Sequence, residues 1–286
     1  MRAVRNWWSG GSSSTRHRSR TTSTTPAPDR HGSLAVVGTG IQLALQLTVE
    51  AREEIELADD LLHVVADPAA ATWLDSLNPR ARSLTPLYRS GVPRQQIYEE
   101  MVEQILVPVR GGSRVCAVFY GHPGVFVQPS HEAVRRARSE GFEARMLPAV
   151  SAEDCLVADL GVDPGAQGWQ SWEATGFLLR RVRPDPTAGL VLWQVDGIGK
   201  LDWNLDRDPR GLQALAEVLA ELYPPEHELV FYRASIYPIF EGEAVRLPLR
   251  ELAALESPPA PTLYVPPLPP RPVDEEMAAR IGITLS

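Results

Sequence analysis

Short apolar runs alternate with helical segments along most of this chain, and that alternation constrains the fold more than any other feature. The first two runs are residues 34–37 and 61–65, and a helical segment at 48–58 separates them. A strand, a helix and a second strand at this spacing predict a parallel β-α-β unit. Residues 114–120 and 142–147 predict two further strands. The folded part of the chain should therefore begin with an α/β lobe.

A second set of strands and helices follows the first. The spacing of apolar residues also predicts helices at 94–109 and 130–140. Beyond residue 148, the predicted helices are 152–160, 209–222 and 248–255, and the predicted strands are 189–195, 228–234 and 262–265. The segment LPPRP after the last strand cannot pair and marks the end of the sheet. We expect an α/β fold of two lobes, residues 34–148 and residues 149–270, with a short C-terminal tail at 271–286.

The N-terminal segment, residues 1–33, is rich in Ser, Thr and Arg and poor in apolar residues. Such a composition buries too little surface to offset the loss of chain entropy, so we expect a disordered tail. The formal net charge is -8, and residues 33–286 alone carry -13 because six arginines and one aspartate precede them. So acidic a body is not expected to bind nucleic acid through its phosphates.

No apolar run approaches the roughly 20 residues of a membrane-spanning helix, so no membrane association is expected. The two cysteines, Cys116 and Cys155, both lie in apolar settings. Thiols so placed are expected to be buried and reduced, which favours a cytoplasmic protein. The cysteines lack the paired spacing of a zinc site, and His122 and His131 have no third ligand at a suitable spacing. We therefore expect no metal site.

Two glycine-containing turns follow predicted strands. After Gly38-Thr39-Gly40, a leucine stands where a dinucleotide-binding fingerprint needs its third glycine, so nicotinamide chemistry is not supported. Gly121-His122-Pro123-Gly124 follows another strand. Ligands of open α/β sheets bind at the carboxyl ends of strands, so this second turn predicts a ligand site. The alternative is that His122 only caps the turn.

Two further groups of polar residues stand near predicted helix starts. Ser151 is placed to cap a helix, with Asp154 three residues on as in a capping box, and that helix start would also present free amides to a ligand. Arg94 and Tyr98 are four residues apart on one predicted helix, and Tyr88 lies across a glycine turn from them. These three are either a surface cluster or a site where the guanidinium lowers the pKa of a phenol.

Composition and spacing alone predict a two-lobed α/β protein with a ligand cleft, and they do not identify the ligand. The stretch YGHPGVFVQPSHEAVRRARSEGFEARMLPAVSAED closely resembles the borosin peptide-backbone N-methyltransferases, which belong to the wider tetrapyrrole-methylase group. The resemblance runs from VVGTG to TLYVPP, over roughly residues 34–267. The general tetrapyrrole enzymes usually show Gly-Asp-Pro where this chain has Gly-His-Pro.

The resemblance implies two lobes with S-adenosylmethionine in the cleft between them, in a homodimer. The residues that match the family's cofactor-binding motifs are Tyr120, His122, Val125, Phe126, Ser151, Ala152, Gln194 and Thr262. The family's tyrosine and arginine group matches Tyr88, Arg94 and Tyr98. A further family tyrosine falls on Thr85 here, which departs from the family pattern.

Backbone N-methylation fits these residue types. An amide nitrogen is a poor nucleophile because its lone pair is delocalised into the carbonyl. The resemblance predicts that Tyr88 or Tyr98, as a phenolate, accepts the amide proton. Arg94 would favour the phenolate and donate to the developing oxyanion. The methyl group of the sulfonium is already activated.

The substrate is expected to be a separate precursor peptide that is modified in trans. Fungal members carry their substrate as a C-terminal extension, whereas this sequence ends soon after YVPP. Two alternatives stay open. The same fold could methylate a tetrapyrrole, another small molecule or RNA, or the chain could bind S-adenosylmethionine or a partner peptide without turnover.

Overall fold

The computed structural model describes residues 31–65, 67–200 and 208–284. The prediction of a disordered tail at 1–33 therefore lies almost wholly outside the described residues. Within the described ranges, the strands form two five-stranded sheets with helices packed against them. This is the α/β architecture that the alternating pattern predicts. The boundary between residues 148 and 149 stays a prediction.

The first sheet is built from the N-terminal half of the chain. Its strands are β1 (Ser33–Gly38), β2 (Asp60–Val64), β3 (Ala81–Ser83), β4 (Arg114–Phe119) and β5 (Glu143–Met146). Their order is β3-β2-β4-β1-β5, and every pair is parallel. The connecting helices are α1 (Val49–Leu57), α2 (Pro68–Leu77), α3 (Arg94–Arg110) and α4 (Gln128–Ser139). A parallel sheet needs such crossovers because each strand must restart at the same end.

Both faces of the first sheet are buried, which explains its continuous apolar strands. Val36 of β1 belongs to a cluster with Met101 of α3, whereas the next residue, Val37, packs in a second cluster with Ile55 of α1. Successive side chains of a strand point to opposite faces, so each of the two helices covers its own face. The parallel prediction for this half is confirmed.

The second sheet is mixed, and its last strand lies in its middle. The strands are β6 (Trp169–Glu173), β7 (Gly189–Trp193), β8 (Glu228–Arg233), β9 (Glu243–Pro248) and β10 (Thr262–Val265). Their order is β6-β7-β10-β8-β9, in which only β6 and β7 pair in parallel. The helices of this half are α5 (Ala152–Leu160), α6 (Pro164–Gln167), α7 (Ala174–Leu179), α8 (Arg210–Ala220), α9 (Leu249–Leu252) and α10 (Glu275–Arg280).

Several elements were not predicted from the sequence. Helix α2 and the strands β3, β6 and β9 were missed, and so was α7. The three strands lie at sheet edges and are partly exposed, so they lack the apolar run that marks a buried strand. The helix predicted at 248–255 is shorter, because Pro248 still belongs to β9 and α9 ends at Leu252. The predicted C-terminal tail contains α10.

The two cysteines are free, as predicted. Cys116 is buried in β4, whereas Cys155 is only half-buried and accepts a hydrogen bond from Gln46 Nε2 at 3.7 Å. Burial raises the pKa of both thiols above its ordinary value. Among the described helices, none is long and apolar enough to cross a membrane.

A buried carboxylate ties α1 to the first sheet. Glu54 of α1 has only 8% of its side chain exposed. Both of its oxygens accept hydrogen bonds from Arg114 Nη2 at 3.0 Å, and Oε1 also accepts one from Arg145 Nη2 at 2.6 Å. Arg114 begins β4 and Arg145 lies in β5, so one carboxylate joins three elements.

Candidate active site

A cavity of about 450 Å³ lies at the carboxyl ends of β2 and β4 and is closed by residues that follow β7. We call it the inner cavity. Residues from both halves of the chain line it: Val64, Tyr88, Arg94, Tyr98, Phe119, Tyr120, Phe126, Val127, Pro129, Gln194, Asp196, Gly197, Lys200 and Pro261. Open α/β sheets bind their ligands at the carboxyl ends of the strands, so the position is the expected one.

The tyrosine and arginine group predicted from sequence is assembled in this cavity. Arg94 is the first residue of α3 and Tyr98 follows one turn later on the same face. A short 3-10 helix, Thr85–Leu87, precedes Tyr88, whose backbone amide donates to Thr85 O at 3.0 Å. Thr85 itself is exposed and does not line the cavity. The structure thus favours a site over a surface cluster for these three residues.

The ionisation of the two phenols differs from the expectation. Burial, and then the neighbouring Tyr98, raise the pKa of Tyr88 to about 12, although the charge of Arg94 lowers it in part. Burial likewise raises the pKa of Tyr98 above its usual value, again against the charge of Arg94. The direction of the Arg94 effect was correctly predicted, but the net shift is upward. Desolvation outweighs the nearby cation here, and both phenols are neutral at pH 7.

Three of the residues that match cofactor-binding motifs line the same cavity: Tyr120, Phe126 and Gln194. Phe126 and Gln194 are non-glycine residues in the left-handed region, with φ of 55° and 57°. Such conformations cost roughly 1–3 kcal/mol each and persist where the surroundings hold them. The ring of Phe126 packs on Trp193, the residue before Gln194, with centroids 5.7 Å apart. This contact joins the two walls of the cavity.

The Gly-His-Pro-Gly turn packs against the first glycine turn. Gly40 and Gly121 exchange backbone hydrogen bonds of 3.3 and 3.0 Å, and Gly121 has φ of 70°. A Cβ built on Gly38 would lie 2.1 Å from Gly121 O, so these glycines allow the two turns to approach closely. His122 Nδ1 accepts a hydrogen bond from Gly124 N at 2.9 Å. The ring of His122 therefore caps its own turn, and it is not part of the inner cavity wall.

The remaining residues that match cofactor-binding motifs lie outside the lining of the inner cavity: Val125, Ser151, Ala152 and Thr262. Ser151 forms the predicted capping box of α5, in which its hydroxyl accepts from Asp154 N and its own N–H donates to Asp154 Oδ2. Thr262 is buried in β10 beside Pro261, which does line the cavity. A cofactor-binding role for these four residues and for His122 stays a prediction.

Sequence reasoning missed several residues of the cavity wall: Val64, Phe119, Val127, Pro129, Asp196, Gly197, Lys200 and Pro261. Most are strand ends or loop residues without a motif of their own. Lys200 did carry a signal, because it is the only lysine of the chain. It follows β7 by seven residues, past a strand end where ligands of α/β sheets bind.

A second depression continues from the inner cavity toward the surface. We call this depression of about 730 Å³ the outer groove. It shares Arg94, Tyr98, Phe126, Val127, Gln194 and Lys200 with the inner cavity. The residues it adds are largely polar: Pro93, Gln95, Gln128, His131, Glu173 and Thr175. The polar residues shared by the inner cavity and the outer groove thus include two cations, Arg94 and Lys200, and the phenol of Tyr98.

The residues of the inner cavity fit S-adenosylmethionine. A volume of about 450 Å³ is within the range of small-molecule sites, roughly 300–1,000 Å³. The aromatic faces of Tyr88, Tyr120 and Phe126 suit a sulfonium cation. The amide of Gln194 and the hydroxyl of Tyr120 can pair with polar groups of a nucleoside. Among the described residues, no three His, Cys, Asp or Glu side chains are grouped so as to hold a metal ion.

Fold and cavity define a two-lobed α/β protein with a cavity of small-molecule size lined by residues from both halves of the chain. The sequence model of the Tetrapyrrole (Corrin/Porphyrin) Methylases matches residues 33–236. The chain therefore belongs to the tetrapyrrole methylase family. The structure of uroporphyrin-III-C-methyltransferase from Thermus thermophilus superposes with a TM-score of 0.58 at 24% identity, covering 82% of this chain and 93% of that one. A structure of a uroporphyrin-III C-methyl transferase from Thermus thermophilus complexed with S-adenyl homocysteine gives a TM-score of 0.54 at 19% identity, covering 82% of this chain and 92% of that one.

Fungal proteins are much more similar in sequence. The methyltransferase/ribosomally synthesized cyclic peptide dendrothelin A precursor dbihMA of Dendrothele bispora is 44% identical over 208 residues, which cover 72% of this chain and 50% of that protein. The methyltransferase/ribosomally synthesized type III borosin cyclic peptide precursor aboMAa of Anomoporia bombycina is 40% identical over 264 residues, or 89% and 30%. The resemblance to the borosin methyltransferases is thus confirmed. The chain spans half or less of the length of these relatives.

Proposed function

We propose that this protein is an S-adenosylmethionine-dependent methyltransferase that N-methylates backbone amides of a peptide. The observation that carries the proposal is the assembly of Tyr88, Arg94 and Tyr98 in one cavity with Tyr120 and Gln194. The names of the fungal relatives, which state both a methyltransferase and a peptide precursor, support the peptide as substrate. The S-adenosyl homocysteine bound by a protein of the same fold supports the cofactor.

The residues of the cavity would divide the work as follows. Tyr120, Phe126 and Gln194 hold the cofactor, which supplies an activated methyl group when bound. Tyr98 or Tyr88 accepts the proton of the substrate amide, and the high pKa of Tyr88, about 12, makes its phenolate a strong base. Arg94 favours the phenolate and donates to the amide oxygen as negative charge develops there. Both effects require the nitrogen to be aligned with the methyl group.

The decisive experiment is the incubation of the purified protein with S-adenosylmethionine and a synthetic peptide, with products read by intact mass. Wild type should add methyl groups to the peptide and release S-adenosyl homocysteine. Tyr98→Phe and Arg94→Ala should each lower the rate by roughly 10²-fold or more. Tyr223→Phe is the matched control, because the Tyr223 hydroxyl is buried without a partner among the described residues and lies outside the cavity. Full activity in both cavity variants would contradict the assigned roles.

The location of the peptide is a separate part of the proposal. We propose a precursor peptide in trans, whereas the names of the relatives combine methyltransferase and precursor in one protein. Mass analysis of the protein after incubation with S-adenosylmethionine alone separates the two arrangements. Methyl groups on the protein itself would show modification in cis and would contradict the trans arrangement. Methyl groups found only on an added peptide would support it.

The assembly and location of the protein also belong to the proposal. A homodimer and a cytoplasmic location are expected from the resemblance and from the reduced cysteines. Light scattering of the purified protein tests the first, and a monomer at micromolar concentration would contradict it. A tetrapyrrole used as methyl acceptor in the same assay tests the alternative substrate class.

A further inference from the structure

The single lysine of the chain lies where the inner cavity meets the outer groove. Lys200 lines both, together with Arg94 and Tyr98. The residue is half-buried. Every other Lys or Arg position of the chain is an arginine. The only lysine of the chain therefore lies where the inner cavity and the outer groove meet.

The turn that carries Lys200 is fixed by backbone hydrogen bonds on several sides. Lys200 N donates to Gly197 O at 3.1 Å, and Gly197 N donates to Gln194 O at 2.9 Å. Val195 N donates to Pro261 O at 3.0 Å, which ties the turn to the strand beside it. Gly199 N donates to Thr175 Oγ1 at 3.3 Å. The position of the Lys200 backbone is thus built into the wall of the groove.

Three described carboxylates lie near the junction, and one of them, Asp196, lines the inner cavity together with Lys200. Glu173 accepts hydrogen bonds from Thr175 N at 2.9 Å and Gly176 N at 2.6 Å, and so caps α7. Asp196 is exposed to water. The pKa of Asp208 is lowered mainly by Arg210, which pairs with it at 2.6 Å, and only last by Lys200. Among the described residues, no carboxylate forms an ion pair with Lys200.

We propose that Lys200 is a specificity-determining residue whose ammonium group pairs with a carboxylate of the substrate at this junction. The proposal rests on the function proposed above and names the substrate class more closely. The proposed substrate is a peptide that carries aspartate or glutamate beside the methylated residue. A half-buried lysine that has no carboxylate partner among the described residues gains from pairing with an anion, because water screens such a pair less than one at the surface. Arg94 remains available for the reacting amide.

The test uses short labelled peptides of identical apolar sequence whose central residue is glutamate, glutamine or lysine. Their binding to the full chain is measured by fluorescence anisotropy with S-adenosyl homocysteine present, so that no turnover is needed. Wild type should bind the glutamate peptide at least about fivefold more tightly than the glutamine peptide. Lys200→Met should lose this preference, Lys200→Arg should retain it, and Lys200→Glu should prefer the lysine peptide.

Two controls keep the result specific to Lys200. Arg183→Met removes an exposed cation outside both the cavity and the groove, and it should leave the preference unchanged. Thermal unfolding confirms that each variant is folded, and Lys200→Glu decides the question if Lys200→Met does not fold. Wild type that binds both peptides alike, or neither, overturns the inference, as does a preference that survives in Lys200→Met. A preference without methyl transfer would support the inference on Lys200 while it refutes the proposed function.

Discussion

Phe126 and Trp193 lie in tilted contact, with ring centroids 5.7 Å apart and planes inclined by 43°. The pair joins the turn after β4, in the first sheet, to the end of β7, in the second. Phe126 holds this place at a φ of 55°, and Gln194, directly after Trp193, has a φ of 57°. The contact between Phe126 and Trp193 therefore connects the two sides of the inner cavity, and it involves a strained residue on each side, Phe126 and Gln194. We call this connection the bridge.

Replacement of Phe126 by alanine should weaken this bridge. The aromatic contact is worth about 1 kcal/mol, so the free energy of unfolding should fall by about that amount. The affinity for S-adenosyl homocysteine should fall as well, because Phe126 lines the cavity. Denaturant unfolding and calorimetry measure the two effects. Phe240→Ala, which removes a phenylalanine that is 63% exposed, is the control, and an equal loss of affinity there would count against the bridge.

The rate of methyl transfer should rise with pH. The pKa of Tyr88 is about 12 and that of Tyr98 is also raised, so the reactive phenolate is scarce at neutral pH. Its fraction grows about tenfold per pH unit below the pKa, and the rate should follow. Initial rates across the pH range in which the protein stays folded provide the measurement. A flat profile would show that neither phenol acts as the base.

Glu54→Gln should destabilise the fold. It removes the charge that pairs with Arg114 and Arg145, and breaking a buried pair costs roughly 3–5 kcal/mol. The two arginines are 39% and 49% exposed, so solvent should reduce the loss to about 2 kcal/mol. Chemical denaturation measures it. Glu56→Gln is the control, since its pair with Arg52 is exposed and should contribute less than about 0.5 kcal/mol. Equal effects of the two changes would refute the role of burial.

Ser151→Ala separates two roles of one residue. Loss of the capping box should lower the free energy of unfolding by about 1 kcal/mol. If Ser151 also binds the cofactor, as the family motif predicts, the affinity for S-adenosyl homocysteine should fall more than in a control of equal stability. Glu54→Gln serves as this control, because mild denaturant can bring the free energies of unfolding of the two variants to the same value. Equal affinities of Ser151→Ala and the control for S-adenosyl homocysteine would show that Ser151 only caps α5.

Much of the fold could be predicted because its strands are buried on both faces. Residues of β1 and β4 form unbroken apolar runs, and α3 repeats apolar residues at helical spacing. The edge strands β6 and β9 gave no such pattern, because none of their residues is fully buried. Helix α2 could have been found from Asp67 and Pro68, an N-cap followed by proline at the first helical position.

The candidate site was predicted in part, and by motif rather than by geometry. The group of Tyr88, Arg94 and Tyr98 shares one wall because two of its members lie on one face of α3. The Nδ1 atom of His122 accepts a hydrogen bond within its own turn, and the cofactor-binding role of His122 stays a prediction. The pKa values could not be predicted, because they depend on how deeply the phenols are buried. Lys200 reaches the cavity only through the folding of the turn after β7.

The position of β10 between β7 and β8 has a consequence for biosynthesis. A ribosome that has made everything up to β9 has produced four strands of the second sheet but not the one that joins its two pairs. Closure of this sheet must wait until Val265 has left the exit tunnel. A nonsense codon shortly before Thr262 would thus remove the middle of the sheet rather than an edge, and would leave two separate strand pairs, each with an unpaired edge.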